Sequence, residues 1–186
     1  MNIQSETIHI HAHSTIIGSN ISIEQGTNAH IAIHNSTAQL THLQLADGKS
    51  YGLYMKKSDV SVSHSELRNH DDSGIYMLDG EATLQYTHIF GHTRAFEQQH
   101  GTLYAEGLQF VKNDAQWQSN DASTFIKHSL FRGGKTGLQF TNGDTHLKNV
   151  HLTEHDQTQL SLDRCKTILT DTAIHSGYGD GLHARH

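Results

Sequence analysis

Two turns of the chain, at equivalent positions of successive repeats, carry side chains capable of acid–base and ionic chemistry. The first turn reads His70-Asp71-Asp72 and the second reads His92-Thr93-Arg94, with Tyr76 between them. An imidazole exchanges protons near neutral pH, and a guanidinium neutralises a carboxylate. Elimination from a uronic acid needs a base, a cation and a donor to the leaving oxygen. His92, Arg94 and Tyr76 have those three chemical types, so they are the candidate catalytic residues for elimination.

Two carboxylates in the same region suit a different reaction. Hydrolysis of a glycosidic bond commonly uses two carboxyl groups, one on either side of the bond. Asp72 and Glu97 are the available pair. The competing interpretation is that all of these residues are solvated turn side chains flanked by tyrosines.

A third group of reactive side chains lies near the start of the chain. His9, His11 and His13 alternate with other residues, so on a β-strand they would share one face. Three imidazoles on one face can chelate zinc, nickel or copper. The alternative is a strand with a polar outer face. We expect that no cofactor is required, and that a divalent metal, if one binds, binds here.

The elements that must position these residues follow from an internal repeat. The run Gly52-Leu53-Tyr54-Met55 returns one unit later as Gly74-Ile75-Tyr76-Met77. Apolar and polar residues alternate within each unit, which is the period of a strand. Units of this kind bury their apolar faces only by stacking on one another. The pattern predicts an interior column consisting of Leu40, Val62, Leu84, Leu103, Phe125, Leu147 and Leu169.

The spacing in that column is constant except for one shorter interval, between Leu84 and Leu103, which we attribute to a shortened turn at His100-Gly101. Trp117 falls at an inward position and is expected in the core. The repeat also predicts an outward column on the first strand of each unit. Its members are His9, Ala32, Tyr54, Tyr76, Glu97, Gln118, Gln139, Ser161 and His183.

Together with the two turns, the outward column predicts one exposed patch over three coils. In it, His70 and His92 should stack one above the other. The residues expected to bind a ligand there are Tyr54, His70, Asp71, Tyr76 and Glu97, beside the candidate catalytic residues His92, Arg94, Tyr76 and Asp72.

Gly74-Ile75-Tyr76-Met77, the following Ala82-Thr83-Leu84 and Ile89 resemble the repeat of the right-handed parallel β-helix. This is the fold of pectate lyases, polygalacturonases and related carbohydrate-binding and sugar-hydrolase repeats. The resemblance implies an all-β, right-handed, single-stranded parallel β-helix, a solenoid of about eight coils of about 22 residues each. These coils would form one domain over positions 1–186. The resemblance also implies a saccharide groove along the first strand. A continuous asparagine ladder and most polygalacturonase motifs are missing.

Composition excludes several classes of protein and of partner. The formal charge is −6 and the 13 lysines and arginines are scattered, so no nucleic-acid partner is expected. The single cysteine, Cys165, excludes an intrachain disulfide. No segment is apolar enough to span a membrane, and no signal peptide is recognisable, so we expect a cytoplasmic protein or one exported by a signal-less route.

The residues leave two functions open. The first is a noncatalytic β-helix module that binds a polysaccharide or a protein partner along its exposed strand face. The second is a small polysaccharide lyase, C5-epimerase or glycoside hydrolase, so whether the protein is an enzyme stays undecided at this stage. Because the ends of the solenoid have no recognisable cap, we also expect either a homo-oligomer or a segment of a larger protein.

Overall fold

The described part of the chain is a stack of parallel β-strands. The computed structural model describes residues 2–4 and 7–185, and the side chains of residues 7–185. Every strand pairs in parallel with the strand one coil before or after it, and no helix occurs among these residues. The result is a β-solenoid of about eight turns of about 22 residues. This confirms the fold expected from the repeat.

The strands run in chain order around the solenoid, and several continue through a corner. They are β1 (Asn2–Gln4), β2 (Ile8–Ile10), β3 (Thr15–Ser19), β4 (Ser22–Glu24), β5 (Ile31–His34), β6 (Thr37–Thr41), β7 (Gln44–Ala46), β8 (Leu53–Ser63), β9 (Glu66–Arg68), β10 (Ser73–Gln85), β11 (His88–Phe90), β12 (Arg94–Gln99), β13 (Thr102–Glu106), β14 (Gln109–Val111), β15 (Ala115–Arg132), β16 (Thr136–Thr153), β17 (Leu160–Thr170), β18 (Ala173–His175) and β19 (Leu182–Arg185). No helix in the described residues is long and apolar enough to cross a membrane.

Each coil turns at three corners, and a residue with positive φ stands at each corner. Stacked corners form three columns along the solenoid. The first contains Asn35, Lys57, Asp79, His100, Asp121, Asn142 and Arg164; the second contains Asn20, His42, His64, Tyr86, Gly107, His128, Asn149 and Asp171; the third contains Gln25, Asp47, Asn69, Gly91, Lys112, Gly133, Glu154 and Ser176.

These corners exclude proline from three positions in each coil. Proline fixes φ near −65° and has no N–H. A corner needs positive φ, and its N–H is used: that of His42, for example, donates to the carbonyl of Ser63 in the next coil at 3.1 Å. Proline would fail at a corner on both counts.

The predicted interior column is correct at four of its seven positions, because Leu169 keeps the register of the column but is 41% exposed. Leu40, Val62, Leu84, Leu147 and Leu169 lie in one register column. The two positions between Leu84 and Leu147 are filled instead by Ala105 and Ile126.

Leu103 and Phe125 were therefore placed wrongly. Leu103 is buried, but in the neighbouring inward column, where it pairs with Ala82. Phe125 pairs with Tyr104 and points outward, one position before the buried Ile126.

The physical reason is a change of coil length. Partners in register are 22 apart in number where β8 pairs with β10, and 21 apart where β10 pairs with β12 and β13. The coil becomes one residue shorter between Thr93 and Arg94. The side chain of Thr93 still donates to the carbonyl of Asp71, 22 residues earlier, whereas Arg94 is in register with Ser73, 21 residues earlier. The predicted shortening of the turn at His100-Gly101 is therefore wrong. Since side chains alternate along a strand, a shift of one residue reverses the face.

Two other predictions, one about the core and one about the outer face, are confirmed. Trp117 is fully buried and stacks on Phe96, with ring centroids 4.2 Å apart. The outward column of the first strands, from His9 to His183, is in continuous register as predicted.

Candidate binding surface

Three tyrosines form an aromatic cluster on the outer face of β8 and β10 and on the turn before β8. The rings of Tyr54 and Tyr76 stack with centroids 5.4 Å apart and planes within 3°. Tyr51 leans against both, at 5.6 Å from Tyr54 and 5.2 Å from Tyr76. All three are half-buried. Sequence reasoning missed Tyr51, although its position directly before the repeated Gly52 was a signal that it lies in the turn beside the outward column.

A cluster of charged side chains adjoins the tyrosines. The guanidinium of Arg94 forms ion pairs with Asp72 and with Glu97, the second at 2.9 Å. The hydroxyl of Tyr51 donates a hydrogen bond to Asp72. Burial, with the charge of Asp72 as a second cause, raises the pKa of Tyr51 to about 12. Burial followed by the charge of Glu97 also raises the pKa of Tyr76, so both hydroxyls are protonated at neutral pH and can donate.

The structure thus brings together most of the predicted patch. Tyr54, Tyr76, Arg94, Asp72 and Glu97 form one continuous half-buried surface, which with Tyr51 we call the tyrosine surface. Asp71 lies outside that cluster. Its exposed carboxylate pairs instead with the exposed Lys49 at 3.2 Å.

His70 and His92, by contrast, are not exposed, so the prediction that they belong to the patch is wrong. Their rings do stack as expected, 5.1 Å apart and within 12° of parallel. However, only 1% of His70 and 3% of His92 is exposed, because both side chains point into the solenoid.

The reason is their position directly after the third corner. In six of the eight coils the residue at this point is buried, and the position is otherwise filled by small or amide residues. These are Gly26, Gly48, Asn113, Gly134 and Gly177, together with a further buried histidine, His155. Placed there, His92 has no access to a sugar as a base, and His70 has no access to one as a binding residue.

His92 instead holds two backbone groups together. Its Nδ1 accepts the backbone N–H of His70 at 3.0 Å, so its Nε2 carries the proton and donates to the carbonyl of Leu67 at 3.1 Å. Burial lowers the pKa of His92 to about 4. The ring is therefore neutral at physiological pH, and its role is structural.

The interior row of histidines continues to His30. Nε2 of His30 accepts the N–H of Gly26, which leaves the proton on Nδ1, 3.1 Å from Nε2 of His70. Burial, and secondly the neighbouring His92, lower the pKa of His70 to about 2. Gly48 lies against the rings of His30 and His70, and a Cβ at this position would come within 2.6 Å of His70. We call His30, His70, His92 and the more distant His155 the interior histidines.

The three histidines near the start of the chain do not form the predicted chelating face. β2 ends at Ile10, and both Ala12 and His13 have positive φ, so the chain turns where alternation was expected to continue. The rings of His9 and His11 stack at 5.5 Å, and His11 stacks on His34 at 4.8 Å. Among the residues with described side chains, no group of three or more His, Cys, Asp or Glu is placed to hold a metal ion.

A groove that sequence reasoning missed lies on another side of the solenoid. Its volume is about 390 Å³, and its outward-facing aromatic residues are Tyr104, Phe125 and His146. Tyr104 stacks on Phe125 at 5.1 Å, and Phe125 contacts His146 at 4.9 Å. The available signal was the alternation in Leu103-Tyr104-Ala105, which makes Tyr104 outward. The groove was missed because Phe125, the partner of Tyr104 in the next coil, was expected in the interior column.

Comparison with known proteins adds no relative to this picture. No family model matches the chain, and neither the curated proteins nor the solved structures compared with it contain a match. The assignment as a β-solenoid therefore rests on the strand register and burial of this chain itself.

Proposed function

We propose that the protein is a noncatalytic β-solenoid module that binds a glycan on the tyrosine surface. The observation that carries the proposal is the contact of Tyr51, Tyr54 and Tyr76 with one another beside the Arg94 ion pairs. Ligand sites combine aromatic area with a few well-placed polar groups, and sites held on strands are precise. Tyrosine rings offer apolar area to the C–H face of a sugar, and the hydroxyls and charged groups suit its hydroxyls.

The position of the surface supports the same proposal. It lies on the outer face of the first strands and the turn before them, which is where the β-helix enzymes that the repeat resembles bind saccharides. The resemblance to the right-handed pectate lyase-like family is itself part of the proposal, because it rests on the repeat residues alone.

The charge of the surface favours a neutral glycan over an acidic one. Arg94 is the cation within the tyrosine surface, and it already pairs with Asp72 and Glu97. Those three groups sum to one negative charge. A uronate would meet this net negative charge, whereas neutral hydroxyls can accept hydrogen bonds from the tyrosines and donate them to the carboxylates.

Two observations favour binding over the enzymatic alternative. Elimination lacks its base, because His92 is buried and bonded to backbone on both nitrogens. Hydrolysis would need Asp72 and Glu97 to act on a substrate, yet both are engaged by Arg94.

The test is a glycan array probed with the wild-type protein, Tyr54→Ala and Tyr76→Ala. Tyr178→Ala serves as the matched control, because Tyr178 is 86% exposed and lies outside the tyrosine surface. We expect selective binding of neutral glycans that both surface variants lose and the control keeps. Incubation with uronate polymers should give no unsaturated product by ultraviolet absorbance. Absence of glycan binding, equal binding by all variants, or turnover would contradict the proposal.

A further inference from the structure

The outer face of the second strands changes character along the solenoid. One outward register column runs through all the central coils on this face. Its residues are Gln39, Ser61, Thr83, Tyr104, Phe125, His146 and Ile168. The first three are polar, as expected of positions facing water. The last four are aromatic or aliphatic, and 44% of Tyr104 and 46% of Ile168 is exposed. Contiguous exposed apolar residues of this kind mark interaction sites.

Tyr104, Phe125 and Ile168 form the apolar wall of the missed groove, with the imidazole of His146 between the last two. A volume of about 390 Å³ lies within the range of small-molecule sites, roughly 300–1,000 Å³. From Tyr104 to Ile168 the groove crosses three inter-coil steps, or about 14 Å at about 4.8 Å a step. It is open and elongated along the solenoid axis, so it suits an extended apolar chain.

One edge of the groove carries an unbalanced positive charge. The next outward column contains Glu106, Lys127 and Lys148 in consecutive coils. Lys127 pairs with Glu106 at 3.2 Å. Lys148 lines the groove and forms no ion pair with any residue in 7–185.

On the opposite side of the column, the charges of neighbouring side chains compensate each other. Asp144 is in register with Lys166, so opposite charges lie next to each other in neighbouring coils. Neither residue lines the groove. The groove therefore combines an apolar wall with a single uncompensated cation at one edge, on a protein whose formal charge is −6.

We propose that this groove is a second binding site, for a small amphiphilic carboxylate. The apolar body of the ligand lies along Tyr104, Phe125 and Ile168, where it leaves water. Its carboxylate accepts a charge-assisted hydrogen bond from the ammonium group of Lys148. A neutral apolar ligand lacks the second contact, and a dianion finds no second free cation. The site lies on a different face from the tyrosine surface and does not depend on the proposed glycan binding.

The test compares decanoate with 1-decanol, which has the same chain length and no charge. Binding to the full chain is followed by NMR, below the concentrations at which the probes aggregate. We expect saturable decanoate binding that shifts the ring signals of Phe125 and His146. Lys148→Gln should weaken decanoate binding about tenfold or more, as expected for the loss of a charged hydrogen bond, and leave decanol binding unchanged. Lys112→Gln, at an exposed corner away from the groove, is the matched control.

Phe125→Ser should weaken binding of both probes, and Tyr104→Ser replaces it if that variant fails to fold. Lack of saturable decanoate binding, or equal affinity of the wild type and Lys148→Gln, would overturn the proposal. So would a dimer in light scattering that Phe125→Ser dissociates, because a second copy would then be the occupant. Glycan binding should be unaffected by these variants, so failure here and failure of the proposed function are distinguishable.

Discussion

Two of the interior histidines, His70 and His92, lie in the same turns as Asp72 and Arg94 of the tyrosine surface, yet they have opposite surroundings. In one coil His70 is buried and Asp72 faces out; in the next His92 is buried and Arg94 faces out. In a strand, residues two apart would share a face. In these turns the direction of a side chain is decided by its distance from the left-handed corner residue before it.

Residue type alone therefore does not mark a functional site in this protein. Histidine is a frequent catalytic residue, but the interior position after the third corner makes His92 a bridge between Leu67 and His70. Arginine and aspartate two residues later form the polar part of an exposed surface. Interior changes should therefore act on folding, and exterior changes on binding.

The largest effect is expected where a charge enters the interior. Leu84→Asp places an unpaired carboxylate in a dry stack and should cost several kcal/mol, enough to prevent folding. Thr83→Asp, the neighbouring outward position, should fold normally. Circular dichroism and thermal melts measure both. A folded Leu84→Asp variant with an unchanged melting temperature would break the interior and exterior assignment.

Acid is expected to destabilise the protein through the interior histidines. Their folded pKa values lie below that of a free imidazole, about 4 for His92 and about 2 for His70. Their contribution to the free energy of unfolding is thus fully present above pH 6.5. It is lost as the pH falls, because the histidines of the unfolded chain take up protons at a higher pH than the buried ones do. The free energy of unfolding falls by about 1.4 kcal/mol per pH unit for each group. For His92 this decline ends near pH 4, and for His70 it continues to lower pH.

Denaturant melts from pH 7.5 to pH 4 measure this loss. His92→Asn should make the decline shallower. His128→Asn, which changes an exposed corner histidine, should not alter it. A stability that is flat over this range would contradict the neutral, buried state of these rings.

Removing the His92 ring should cost less than acidification, but a measurable amount. His92→Ala leaves the N–H of His70 and the carbonyl of Leu67 without their partner, at about 2 kcal/mol or more. His92→Asn should restore most of this loss, because Asn113 in the next coil makes the equivalent two bonds, to the N–H of His92 and the carbonyl of Ile89. Equal stability of the alanine and asparagine variants would refute the bridging role.

Exterior changes are expected to have almost no effect on stability. Arg94→Gln and Tyr76→Phe should shift the free energy of unfolding by no more than about 1 kcal/mol, since partly exposed ion pairs contribute little. Glycan affinity should fall about tenfold. Melting curves and binding isotherms on the same samples test both. Strong destabilisation, or unchanged affinity, would remove the distinction drawn between the two regions.

The smallest effect is expected from metal ions. Because His9 and His11 stack and His13 lies in a turn, added zinc should not raise the melting temperature measurably. His9→Ala is the comparison variant. A zinc-dependent increase that this substitution abolishes would restore the chelating interpretation.

Much of the architecture was predictable from local pattern. The repeat of Gly52-Leu53-Tyr54-Met55 gave the coil length, and alternation gave the strands and their outward column. The placement of Trp117 in the core and the stacking of His70 on His92 also followed from the spacing. For the site, the same pattern predicted Tyr54, Tyr76, Asp72, Arg94 and Glu97 as neighbours. It did not predict Tyr51, because the outward column covers strand positions alone and Tyr51 lies in the turn before β8.

The features that depend on periodicity follow from the amino-acid sequence. A regular repeat of short alternating strands cannot bury its apolar faces within one unit, so successive units stack as parallel strands. The tertiary structure alone decided the features that depend on a single residue of register. Three successive coils of 21 residues after Leu84 put Ile126 in register with Leu147, so Phe125 faces outward into the groove. Likewise, the left-handed corners before His70 and His92 turned both rings inward, because corner geometry, and not strand alternation, sets the side of a turn residue.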